Sequence, residues 1–173
     1  SDAVARPALC GFWNRWVGGK TGDRIFMGSK QSSKALIEPN HWPPDKLCKV
    51  SASDRTPLCV MLTTGAMNPI HRGHVYMLHS AADRLRAAGY YVLGAYVSPS
   101  HDSYVQPKAT RLGTFGLSAS FRLAIARRAV EADPLVSVGS WEALYDGAWL
   151  DFPVVCAELA KVAGRLASGA QVF

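Results

Sequence analysis

From Leu58 onward, apolar and polar positions follow two alternating periods. Leu58 to Thr63 is a short apolar run with the length of a buried strand. His74, Met77, Leu78, Ala81, Ala82 and Leu85 then recur at i, i+3, i+4, i+7, i+8 and i+11, the stripe of an amphipathic helix. Gly89 is placed to cap it. Tyr91 to Val97 is a second strand, ended by Ser98-Pro99. Strand, helix and strand in this order make a βαβ unit, so the two strands are expected to be parallel.

Ser98 to Leu117 reads as a long loop at a strand end, a place where function is often found. Ser118 caps a helix predicted to run to about Ala132, where Asp133-Pro134 stops it. Leu135 to Val138 is a third strand. Asp151 opens a last helix with Phe152, Val155, Cys156, Leu159, Ala160 and Ala163 on one face, and Pro153 lies harmlessly in its first turn. Gly169 to Phe173 reads as a turn and the start of another strand. The expected fold is α/β over residues 57–173, a Rossmann-like parallel sheet that stops short of its next element.

Residues 1–56 carry no long period. They hold Gly18-Gly19, Gly22, Gly28, Pro39 and Pro43-Pro44, with Trp13, Trp16 and Trp42 among them. Such a segment cannot make its own core. Its aromatics are expected either to wrap the following domain or to dock on another protein, and docking is the favoured reading. The exposed edge of an unfinished sheet would be a second docking surface.

Composition narrows this only a little. The chain is 49% hydrophobic and 18% charged, enough for a core. No apolar run has the length of a membrane span. The net charge of +6 and pI near 9.3 suit acidic partners, or simply solubility. The basic residues are scattered, with one adjacent pair at Arg127-Arg128, so specific nucleic-acid binding is not expected. Cys10, Cys48, Cys59 and Cys156 lack metal-ligand spacing, and Cys59 and Cys156 read as core residues. The arginine-bearing start would tolerate an organelle (mitochondrial) address, and the compartment stays open.

The most informative segment is Gly65-Ala66-Met67-Asn68-Pro69-Ile70-His71-Arg72-Gly73-His74. It joins the first strand to its helix, at the strand's carboxyl end, where ligands of open parallel sheets bind. Gly65 lets a ligand approach the backbone. A helix starting near Gly73 offers free N–H groups and a positive dipole end to phosphate. His71 and His74, at i and i+3, share a face of its first turn. Two imidazoles there can donate to a polyphosphate and stabilise charge developing on it. Transfer of this kind needs positioning and charge stabilisation rather than a protein nucleophile. The competing readings are a helix start that merely carries two histidines, and a zinc site, for which no third ligand lies nearby.

Asn68 to His74 resembles the H-x-G-H signature of the nucleotidyltransferase superfamily. More narrowly, the chain resembles eukaryotic-type nicotinamide/nicotinate mononucleotide adenylyltransferases. Ser98-Pro99-Ser100-His101-Asp102-Ser103-Tyr104 is similar to that family's S-P-x-x-D-x-Y loop, Phe121-Arg122 stands where it has His-Arg, and Trp141-Glu142 matches its Trp-Glu pair. The resemblance implies adenylyl transfer from ATP, with Mg2+ carried on the triphosphate, to a pyridine mononucleotide. His71 and His74 would be catalytic. Thr64, Gly65, Asn68, Gly73, Lys108 and Arg122 would bind the nucleotide. Asp102, Tyr104, Trp141 and Glu142 would form the mononucleotide side, with Trp141 stacked on the pyridine ring. As structural residues alone, Trp141 would be a rim aromatic, Asp102 a turn residue and Arg122 a solvated helix arginine.

The chain departs from that pattern in several places. Ala66 replaces the usual Ser, Met67 a Phe and Phe121 a His, and Val105-Gln106-Pro107 separate Tyr104 from Lys108. The family's fourth strand with its Gly-x-Asp turn, and its later Ser/Thr-rich turn with Arg, lie beyond Phe173. Two further readings therefore stand beside the enzyme: a catalytically weakened or inactive nucleotidyltransferase-like module serving as a structural or accessory subunit of a larger assembly, and a cytidylyltransferase. Ser98 to Tyr104 and Trp141-Glu142 argue against the last.

Overall fold

The computed structural model describes residues 41–49 and 56–173. Trp13 and Trp16, and the docking role expected of the segment around them, lie outside the described residues.

Eight elements follow Leu58: β1 (Leu58–Gly65), α1 (Arg72–Ala87), β2 (Tyr91–Pro99), α2 (Asp102–Arg111), α3 (Ala119–Ala129), β3 (Val136–Val138), α4 (Phe152–Leu166) and β4 (Gln171–Val172). The strands form one parallel sheet in the order β3-β2-β1-β4. This is a Rossmann-like α/β sheet, as expected. The order reverses between β1 and β4, so β1 ends at the switch point of the sheet.

Alternation along the strands builds two cores. Cys59, Met61, Val92, Ala95 and Val97 face a layer completed by α1 and α3 residues such as Leu78, Ala82, Leu123 and Ala126. Val60, Leu62, Leu93 and Tyr96 face the other layer, with Val155, Leu159 and Ala163 of α4. The buried sulfur of Cys59 fits the core reading, and burial pushes its thiol pKa up to about 11. Cys156 is half-buried, and Ala160, expected on the buried face of α4, is exposed. Met77 is 48% exposed because the α1 stripe centres on Leu78 and Ala82, with Val75 on its flank.

One helix does not cover the second face. Residues 41–49 complete it as a strap. Trp42 is buried edge-on to Tyr96, with ring centroids 5.3 Å apart at 85°. The Tyr96 hydroxyl donates to the Pro43 carbonyl at 2.8 Å, the Cys48 N–H to the Leu93 carbonyl at 2.8 Å, and the Ser140 N–H to the His41 carbonyl at 2.9 Å. Two glycines make room for it. A Cβ at Gly139 would overlap the Trp42 ring, and one at Gly94 would lie 2.6 Å from Leu47. The wrapping alternative therefore holds for this part of the irregular segment.

The segment expected as a loop, Ser98 to Leu117, contains α2. His101 caps it by accepting the Ser103 N–H at Nδ1. Pro107 sits inside and cannot donate to the helix ladder, which is why the segment does not read as helical. Helix α3 ends at Ala129 rather than near Ala132. Asp133 then accepts the Leu135 and Val136 N–H groups and meets His79 of α1 at 2.7 Å. Burial alone would raise the Asp133 pKa, but these three hydrogen bonds outweigh it and the carboxyl lies below its ordinary 3.8. A carboxylate depressed in the fold stabilises it fully above its unfolded value. That stability is lost as pH falls through the lower folded value. Acid unfolding of Asp133→Asn should lack this step, and at neutral pH the variant should be about 1 kcal/mol less stable by denaturant titration.

Candidate active site

A cavity of about 430 Å3 opens at the carboxyl end of β1, lined by the turn after that strand and by α2. Gly65, Ala66, Met67, Asn68 and Pro69 form one wall with His71 and His74, and Val105, Lys108, Ala109, Leu112 and Thr114 form the other. Helix α1 starts here. His71 is its N-cap, and the two imidazoles lie with centroids 3.8 Å apart, tilted by 35° to each other. Gly73 allows this, since a Cβ there would press on the His71 ring at 3.0 Å. A Cβ at Gly65 would make only an ordinary contact with the Met67 methyl, so the strand end lies open to the cavity.

The His71 N–H donates to His74 Nδ1 at 3.2 Å, the reciprocal half of a capping box with histidine in place of glutamate. An accepting Nδ1 leaves the neutral ring's proton on Nε2. Burial first, then the neighbouring His71 charge, lower the His74 pKa below 6.5. His74 is thus a neutral donor at physiological pH. A ring 15N spectrum should show the Nε2–H tautomer and a titration below the ordinary histidine range. The unfolded chain takes up that proton first, so this contribution to stability falls as pH drops below 6.5.

Lys108 reaches the cavity despite its spacing from Tyr104, because α2 places them one turn apart. Its ammonium lies 3.3 Å from the Tyr104 hydroxyl and 5.2 Å from the ring centroid. Asn68 lines the cavity but commits its amide to the next loop, donating to the Phe115 carbonyl and accepting the Leu117 N–H. Thr64 pairs with Ser98 in the sheet and does not line this cavity.

The residues expected on the mononucleotide side divide. Tyr104 stacks on Trp149 at 5.0 Å and 22°, and the Trp149 main-chain N–H donates to Ser103 Oγ. Trp141 is half-buried against Tyr145 on the segment after β3. Trp149 was not anticipated; it sits in an aperiodic stretch beside Gly147, and its only sequence signal is a second aromatic after Trp141. Asp102 accepts the Ala119 N–H and pairs with Arg122. Arg122 and Glu142, expected on the nucleotide and mononucleotide sides, do not line this cavity. Each is buried, at 0% and 1% exposure, with its polar atoms turned to the protein. The Glu142 carboxyl accepts from Ser98 Oγ at 2.8 Å, and burial raises its pKa against the pull of Ser98, Ser100 and Arg122.

Comparison with curated proteins finds relatives of one kind. A rice (Oryza sativa) nicotinamide/nicotinic acid mononucleotide adenylyltransferase is 36% identical over 90 residues, 52% of this chain and 33% of its own. The Arabidopsis thaliana protein of that name is 34% identical over 101 residues, 58% of this chain and 40% of its own. This domain is a relative of those adenylyltransferases. A zebrafish (Danio rerio) form 2 agrees, at 36% over 89 residues, 50% of this chain and 27% of its own. The matched stretch thus spans 27% to 40% of the length of these relatives. No family model matches the chain. Among the described residues no helix is long and apolar enough to cross a membrane.

Proposed function

We propose that the protein transfers the adenylyl group of ATP to nicotinamide or nicotinate mononucleotide. A mononucleotide phosphate oxygen attacks the α-phosphorus of ATP, the bond from that phosphorus to the leaving oxygen breaks, and the products are the dinucleotide and pyrophosphate. The single observation that carries this reading is the close, tilted His71–His74 pair at the start of α1, which lines one cavity with Lys108 in a domain related to adenylyltransferases.

Each residue then has a task. Nε2–H of His74, with His71 beside it, donates to the phosphates and stabilises charge as the pyrophosphate leaves. Lys108 neutralises the same charge from the facing wall. Gly65 presents backbone, Gly73 makes space for the His71 ring, and Asn68 shapes the wall by holding the loop at 115–117, while Thr64 fixes the strand end below. Tyr104, Asp102 and Trp141 serve the mononucleotide side, where an aromatic face suits a flat cationic ring. Among the described residues no three His, Cys, Asp or Glu side chains converge on one point. The cavity wall offers imidazole, ammonium and backbone, a donor set that suits Mg2+ arriving on phosphate oxygens and water. When bound, the ion would screen triphosphate charge.

The test is dinucleotide formation by the intact protein from ATP and each mononucleotide, followed by chromatography. Product should form, and ATP should raise the Tm. Neither product nor thermal protection by ATP would sink the proposal.

A further inference from the structure

Behind the cavity lies a buried polar cluster built on Arg122, a residue that the chemistry above leaves without a task. At its centre, Arg122 of α3 is fully buried. Its Nε donates to the Leu117 carbonyl at 2.9 Å and its Nη1 to the Ala66 carbonyl at 2.8 Å. Its Nη2 donates to the Ser100 carbonyl and to the Asp102 carboxylate, each at 2.7 Å. These acceptors come from four places: the lead into α3, the turn after β1, the end of β2 and the first residue of α2. A guanidinium is a rigid planar fork, so acceptors bound to it hold fixed positions relative to one another.

Two of these attachments bear on the cavity. Ala66 precedes Met67, whose φ of 44° lies in the left-handed region that non-glycine residues avoid. A conformation of that kind persists only where its surroundings enforce it. Here the Met67 side chain is buried and the carbonyl before it is tied to Arg122. Asp102, on the other side, opens the helix that carries Tyr104 and Lys108, and its second oxygen accepts the Ala119 N–H at 3.1 Å. Ser98, Ser100 and Glu142 close the cluster from below.

We infer that Arg122 is a positioning residue: it fixes the distance between the turn at 65–69 and the start of α2, the two walls between which the reacting groups must meet in line. It does so without touching ligand. This rests on the adenylyl-transfer reading for its chemical consequence, though the tie itself does not. An attack in line tolerates little displacement, and misplacement by about 1 Å can cost on the order of 10²-fold in rate.

Arg122→Lys keeps the charge and loses the fork. In the intact protein it should fold with an unchanged circular dichroism spectrum and lower kcat by about 10²-fold, with KM for ATP little moved. Free guanidinium below denaturing concentration should restore turnover to Arg122→Ala. Amide exchange in Arg122→Lys should quicken at 65–69 and 100–104 while β2 and α4 keep wild-type protection. Wild-type kcat in Arg122→Lys, or faster exchange spread evenly over the domain, would overturn the inference. If Arg122→Ala does not fold, Arg122→Lys carries the test. If the wild-type protein forms no dinucleotide, the functional reading fails, and the exchange pattern alone decides Arg122: unchanged exchange at 65–69 rules out the positioning role.

Discussion

His74→Glu should leave helix α1 intact and bring dinucleotide formation to background. Two jobs of His74 separate in this substitution. Its Nδ1 accepts the His71 N–H, and its Nε2–H is left to donate. Glutamate at the third helical position is the natural acceptor in a capping box, so the cap survives. A carboxylate has no proton to give to phosphate at neutral pH and repels it. His74→Ala should lose both jobs: about 1 kcal/mol of stability from the cap, and about 10²–10³-fold in kcat from the missing donor. His74→Gln, with an acceptor oxygen and an amide donor, should keep the cap and lose less rate than either. Thermal unfolding and steady-state rates of the three variants check the series. A glutamate variant that turns over like wild type would remove His74 from the reaction.

The largest effect on stability is expected at Trp42, far from those histidines. Trp42→Ala should cost about 3–5 kcal/mol, the usual loss for emptying a buried aromatic site. The Trp42 ring packs against Tyr96 and over the backbone of Gly139. Its indole N–H has no hydrogen-bond partner among the described residues, so apolar contact carries its contribution. Gly139→Ala attacks the same contact from below, because the added methyl would occupy the ring's place, and overpacking of this kind costs about 1–3 kcal/mol. The two changes should not add. Once Trp42 is alanine, the methyl at 139 has nothing to strike, so the double variant should be about as stable as Trp42→Ala alone. Additive losses in denaturant titrations would mean that the strap and the glycine do not meet.

How much of this was legible beforehand depended on how local each feature is. Strands β1 and β2 were visible because both their faces are buried, which leaves uninterrupted apolar runs. The histidine pair was visible because a helix start and an i, i+3 spacing are local. Helix α2 was missed: Pro107 reads as a breaker, and only Val105 and Ala109 are buried, too few to draw a stripe. Arg122 and Glu142 could be aligned with a family pattern but not placed, since both are buried by chain from elsewhere. A helix arginine looks solvated until Ala66, Ser100 and Asp102 are folded around it. Trp42 had no period at all, because its site is made by residues far along the chain, Tyr96 and Gly139.

That separation has a consequence for how the protein is made. His41 of the strap meets Ser140 across 99 residues. A ribosome adding about 5–20 residues each second releases the strap roughly 5–20 s before the chain that will receive it. Tyr96 emerges part-way through that interval, but the Gly139 backbone that completes the Trp42 site comes near its end. A growing chain halted before Gly139 would carry Trp42 only partly covered, an apolar handle for a chaperone. The order in which the polymer emerges is thus the reverse of the order in which this layer can close.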